Sequence, residues 1–159
     1  MIKVTIIALG KLKEKFLRDA ADEYIKRLSR FCILEIRELN PVNLPDNPSD
    51  KEIALALTKE EQMITKILPE NSFKIALCIE GEQLSSTGLA QRVDTISNSG
   101  KGITFIIGSS FGLSENIKSR CDMRLSFSKM TFPHQFFRIM LLEQIYRSFN
   151  INNGGKYNK

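Results

Sequence analysis

Hydrophobic and polar positions along the chain alternate between two kinds of pattern. The run "IKVTIIAL" (2–9) is apolar, rich in β-branched residues and stopped by Gly10, which predicts a buried strand. Residues 13–31 follow with Leu17, Ala20, Ala21, Tyr24, Ile25 and Leu28 at three- and four-residue steps, the mark of an amphipathic helix. "CILEIREL" (32–39) alternates apolar and charged residues and predicts a half-exposed strand, placed at a sheet edge. The stretch 40–50 holds three of the five prolines and reads as a loop. Ser49 and Glu52 then form a capping-box pattern that opens a helix to about Leu68.

The second half repeats the alternation. It predicts a strand at 73–79, a turn "EGEQLSS" at 80–86, a helix from Thr87 to Ile96 and a strand at 102–108. A Gly/Ser loop follows at 108–114, then a short helix near 115–120, a strand at 123–128 and a long helix starting at Pro133. Strands alternating with helices imply an α/β fold, a mostly parallel sheet with helices on both faces. At 159 residues, with no repeat and no convincing linker, one domain over 1–159 is expected.

Composition narrows this only a little. Apolar residues at 42% and charged residues at 26% are ordinary for a globular chain, while a net charge of +5 leans toward polyanionic partners such as nucleic acid. Cys32, Cys78 and Cys121 are far apart and form no CxxC or Cys/His cluster, so no metal is expected. The first residues are too short an apolar run for a signal or a membrane span, so no membrane association and a cytoplasmic location are expected.

Three loops follow strand ends, where ligands of open α/β sheets bind. "IIGSSFG" (106–112) lets backbone approach a ligand, though an ordinary strand-to-helix turn has the same look. "CIEGEQ" (78–83) carries Glu80 and Glu82, which suit hydroxyls or a cation better than phosphate. "GKLKEK" (10–15) offers Lys11 and Lys13 to a phosphate backbone, or is a solvated helix start.

The long helix raises separate questions. Pro133 suits its first position, and His134, the only histidine, would sit in the first turn, where the helix dipole favours a neutral ring. His134 and Arg138 share a face and are the weak catalytic candidates; a helix-start role for the histidine is the plainer alternative. Apolar residues from Phe136 to Phe149 point nearly all round the axis. Such a helix must be covered on every side, and a second copy of the chain, a homodimer, is expected to supply part of the cover. The polar tail 150–159 is either disordered or an arm that reaches RNA through its lysines, with Tyr157 stacking on a base.

The segments "KVTIIALGKLKEKF", "EYIKRLSRF", "LCIEGEQLSSTGLAQ", "TFIIGSSFGLS" and, above all, "LSFSKMTFPHQFFRIMLLEQIYRSF" closely resemble the ribosomal RNA large-subunit methyltransferase H family of SPOUT enzymes, from end to end. The resemblance implies a deep C-terminal trefoil knot and a homodimer. It implies S-adenosylmethionine held by Leu77, Gly108, Phe127, Ser128, Lys129, Met130, Thr131 and Phe132. It further implies N3-methylation of a pseudouridine in 23S rRNA of the assembled ribosome. Lys11, Lys13, Arg147, Tyr157 and Lys159 are the residues expected to face RNA, although Arg147, four after Glu143, is equally well explained as a helix salt bridge. Two positions depart from the family pattern: Ser109 stands where a second glycine is usual, and Asn158 where a histidine is usual. A SPOUT paralogue with another substrate, or a non-catalytic RNA- or partner-binding module, is the alternative that the altered tail leaves open.

Overall fold

The computed structural model describes residues 1–159. Five strands, β1 (Ile2–Leu9), β2 (Cys32–Leu39), β3 (Ser72–Gln83), β4 (Gly102–Ile107) and β5 (Met123–Ser126), form one sheet in the order β2-β1-β4-β3-β5. Every pairing is parallel, so each connection must cross over the sheet. The crossovers are made by α1 (Lys15–Leu28), α2 (Asp50–Ile67), α3 (Ser86–Asn98) and α4 (Glu115–Arg120), and α5 (His134–Asn152) ends the chain.

The helices split between the two faces, as the alternation predicts. Ala21 and Leu28 of α1, Leu89, Val93 and Ile96 of α3, and Leu141, Leu142, Ile145 and Phe149 of α5 pack on Val4, Ile6, Ile103 and Phe105. On the other face Ile64 of α2 and Ile117 of α4 meet Ile7, Leu9, Ala76 and Ile106. The amino half of that second face is polar: Ser72 and Thr104 hydroxyls lie 2.8 Å apart, and Lys3 pairs with Glu35 at 2.8 Å. The side-chain period of two explains it, because Lys3 and Thr5 share a face with Ile7.

Local signals hold well. The Ser49 hydroxyl accepts from the Glu52 N–H, and the Glu52 carboxylate accepts from the Ser49 N–H, both at 3.1 Å. β2 is an edge strand, as its charge alternation implies.

Three expectations are corrected. The predicted turn at 80–86 is strand as far as Gln83, because β3 pairs with β5 twice, at Ile75–Leu77 and again at Glu82–Gln83. Between these segments Gly81 lies against β5, where an added Cβ would meet the Leu125 backbone at 2.7 Å. Pro133 is the residue before α5 rather than its first position, which His134 takes. Finally, the chain covers more of α5 than its all-round apolarity implied. α1 and α3 flank it, burying Leu141, Leu142, Ile145 and Phe149, while Ile139, Met140 and Tyr146 are half-buried and Phe136 is exposed beside Phe16.

Candidate cofactor cleft

The carboxyl ends of β3, β4 and β5 converge on Leu77, Ile107 and Leu125, and a cleft of about 540 Å³ opens above them. Its size suits a small organic ligand or cofactor. The walls are the turns that leave these strands. Cys78–Glu80 bulge out where the β3–β5 register breaks, Gly108–Leu113 follow β4, and Ser126–Pro133 lead into α5.

Each turn is fixed by short-range chemistry. Gly108 cannot carry a side chain, because a Cβ there would fall on the Gly112 carbonyl group. Gly112 has φ +80° and donates its N–H to the Ser109 carbonyl at 2.8 Å, which closes a tight loop. The next turn folds on itself: the Ser126 hydroxyl donates to the Ser128 carbonyl at 3.1 Å, and the Met130 N–H donates to the Ser128 hydroxyl at 3.0 Å. Phe127 packs on Phe137 of α5 with ring centres 4.7 Å apart, so the turn rests directly on the helix start. The rim is apolar and exposed at Ile79, Phe111, Met130 and Phe132.

Charge inside the cleft is largely internally matched. The Lys118 ammonium pairs with Glu80 and, at 3.4 Å, with Glu115. Burial pulls its pKa down, but Glu80 and Glu115 outweigh burial and leave it raised. The Lys118 hydrogen bond likewise holds the Glu80 carboxyl below its usual range. Glu80 thus finds its cation within the chain. Burial and, second, Glu80 push the Cys78 thiol upward, so it is no ready nucleophile.

Of the eight residues that the resemblance implies for the cofactor, seven line this cleft: Leu77, Gly108, Phe127, Ser128, Met130, Thr131 and Phe132. Lys129 does not, and is exposed beside it. His134 also lines the cleft, with its Nε2 3.6 Å from where a Gly10 Cβ would stand. Burial first, then Arg138 and Lys13, lower its pKa, so the ring is neutral near pH 7. Arg138 is not free to act on a ligand. It is 4% exposed and committed to Glu38 and the Gly10 carbonyl. The run 106–112 that the sequence singled out as a ligand loop supplies Ser110 and Phe111 to the lining, whereas Lys118 was not anticipated.

The residues expected to face RNA do not form one surface. Lys11 and Lys13 are exposed near the cleft end of α5, where the Lys13 N–H donates to Gln135 Oε1 at 3.0 Å. Arg147 lies thirteen residues along α5 from His134, about 20 Å at 1.5 Å per residue. Nor does the end of the chain dangle. Tyr157 donates its hydroxyl to Glu143 at 2.8 Å and lies under the Arg147 guanidinium at 4.6 Å, and Arg147 donates to Asn158 Oδ1 at 3.0 Å. Lys159 is exposed at the terminus.

A parallel sheet carrying a cleft built from three consecutive strand ends and the start of the last helix defines an α/β ligand-binding enzyme scaffold, and the comparisons give its chemistry. The family described as "Predicted SPOUT methyltransferase" matches residues 2–158. A ribosomal RNA large subunit methyltransferase H from Clostridium beijerinckii is 49% identical, with 99% of this chain and all of that protein covered. A protein of Methanococcus maripaludis, provisionally given the same name, is 52% identical over the same shares. Among solved structures, a probable methylase family protein from Haemophilus influenzae has the same fold, with TM-score 0.54 at 12% identity over 99% of this chain and 70% of that one. The chain belongs to the SPOUT methyltransferases, and within them to the ribosomal RNA large subunit methyltransferase H family.

Proposed function

We propose that the chain transfers the methyl group of S-adenosylmethionine to N3 of a pseudouridine in 23S rRNA of the assembled ribosome, acting as a cytoplasmic homodimer with a knotted C-terminal half. The observation that carries this reading is the convergence of Leu77, Gly108 and the Phe127–Phe132 turn on one cleft. These residues come from three separate segments, and their meeting owes nothing to sequence proximity. The crossing of Gly81 over Leu125 is what a chain threaded beneath its own β3 would require.

The cleft suits this cofactor. Leu77, Ile107 and Leu125 give an apolar floor for an adenine ring, Ser110 and Ser128 offer hydroxyls to polar groups, and Gly108 lets backbone approach. The sulfonium supplies an already activated methyl group. What remains for the protein is orientation and removal of one proton, because forming the N3–carbon bond requires loss of the weakly acidic N3–H. His134 is at the cleft and unprotonated near pH 7, so it is the acceptor that we assign within this chain. Lys129, Lys11 and Lys13, exposed around the same end, are assigned to RNA phosphates. No group of metal-ligating side chains is present, and the transfer requires none. The half-covered face of α5 with Met140, and the exposed Phe16 and Phe136, are the surface offered to a second copy.

Labelled S-adenosylmethionine and ribosomes lacking this methyl group provide the test. Label should appear in large-subunit rRNA and map by mass to a single pseudouridine. Label in another RNA would favour a paralogue with a different substrate, which Asn158 in the tail makes the second reading.

A further inference from the structure

Glu60 sits on α2, outside the cleft lining, and is 4% exposed. No lysine or arginine pairs with it, which is unusual, because a carboxylate buried without a cation is costly unless its oxygens are satisfied. Both are. Oε1 accepts from the Ser109 hydroxyl at 2.7 Å and Oε2 from the Val42 N–H at 3.0 Å. One donor belongs to the tight turn after β4 that walls the cleft; the other belongs to the proline-rich loop that precedes α2. Glu61, the next residue, accepts from Ser114 at 2.8 Å and from Asn116, beyond the far end of the same turn.

An apolar residue at position 60 would fill the space without desolvating a charge. It could not hold the two loops together. We propose that Glu60 is a positioning residue for cofactor binding: it fixes Ser109, and with it the Gly108–Gly112 turn, and makes order in the loop at Val42 dependent on cofactor occupancy. This rests on the reading of the cleft as the S-adenosylmethionine site. It also gives a role to Ser109 within the turn. Its hydroxyl is the one that Glu60 holds.

The test uses the full chain with S-adenosylmethionine as the probe. Calorimetry would give Kd for the unaltered protein and for Glu60→Ala, Glu60→Gln, Ser109→Ala and the Glu60→Ala/Ser109→Ala double variant. Amide exchange at Val42 would be followed with and without cofactor. Losing a hydrogen bond to a charged group at a binding wall should raise Kd on the order of tenfold. Glu60→Ala, Ser109→Ala and the double variant should therefore weaken binding by similar amounts rather than multiplying, the sign of one shared interaction. Glu60→Gln should recover most of the affinity, because an amide can donate to the Ser109 hydroxyl and accept from Val42. Cofactor should slow exchange at Val42 in the unaltered protein and no longer do so in Ser109→Ala. The effect should fall on the KM for cofactor and spare kcat.

Folded variants with unchanged Kd, or single effects that multiply in the double variant, would overturn the inference while leaving the cleft reading intact. If Glu60→Ala does not fold, Ser109→Ala and Glu60→Gln decide. Absence of binding to the unaltered protein would remove the cleft reading and this inference with it.

Discussion

Arg138 donates from Nη2 to the Gly10 carbonyl at 2.8 Å and from Nη1 to Glu38 at 2.5 Å, so one side chain on α5 closes the carboxyl ends of both β1 and β2. Gly10 in turn donates its N–H to the Leu39 carbonyl at 2.7 Å, and its φ of +122° is a backbone conformation that favours glycine. The guanidinium is therefore a latch between the last helix and the first strand. Breaking a fully buried ion pair costs ~3–5 kcal/mol, but Glu38 is 35% exposed, which reduces the expectation. Arg138→Ala should lower stability by about 2 kcal/mol in urea unfolding. Arg138→Lys, unable to serve both acceptors with a planar fork, should recover only part of it.

Gly81→Ala tests the crossing of β3 over β5. A methyl group 2.7 Å from the Leu125 backbone cannot be accommodated by a side-chain rotation, so strand must move away from strand. A loss of ~1–3 kcal/mol is expected, as for other overpacked sites. The same change should weaken ligand binding, because Cys78–Glu80 and Leu125 line the cleft on either side of the crossing. An unaltered melting temperature would show that the two segments do not touch in solution.

The tail offers a separate test. Tyr157 is held by its hydroxyl on Glu143, by its ring under Arg147 and edge-on to Tyr146 at 5.0 Å, and by its N–H on Asn150 at 3.2 Å. Tyr157→Phe removes only the first contact. It should cost roughly 0.5–1.5 kcal/mol locally. Amide exchange at 156–158 should accelerate while global stability changes little, since the site is at the surface.

His134 should leave a signature in acid. Its folded pKa is depressed, by burial and then by Arg138 and Lys13, so the unfolded chain binds its proton more readily than the folded one. Its contribution is fully present above the unfolded value of about 6.5 and is lost as pH falls below that toward the folded value. His134→Gln, which cannot titrate, should show a flatter decline of melting temperature as pH falls below about 6.5. Identical profiles would mean that the ring is solvated in the folded state.

The strands, the helices and the edge position of β2 were legible because each follows from a local period or a local cap. Ser49 with Glu52 is the clearest case: four residues specify the start of α2. The cleft was legible through the resemblance and, in part, through glycine and serine after β4. What stayed hidden involves contact between distant backbones. Nothing near Gly81 says that Leu125 will lie beneath it, so "EGEQ" read as a turn. Lys129 was carried along by its neighbours, yet a chain turning at Ser128 must point some residues outward. The tail looked like a loose arm because its polar composition is the same whether water or Glu143 and Arg147 solvate it. Glu60 was invisible for a similar reason: within α2 it is one more charge on a charged helix.

The double pairing of β3 with β5 has a consequence for how the cleft comes into being. Leu125 is flanked by Leu77 and by Glu82 of the same strand, and β4 separates β3 from β1. The wall cannot be completed by the amino-terminal half alone, since two of the three contributing strand ends lie beyond residue 102. A nascent chain therefore has no complete version of the site to offer. Retention of the ligand is accordingly an assay of completed folding, and a variant that still binds has, by that fact, laid its last strand in place.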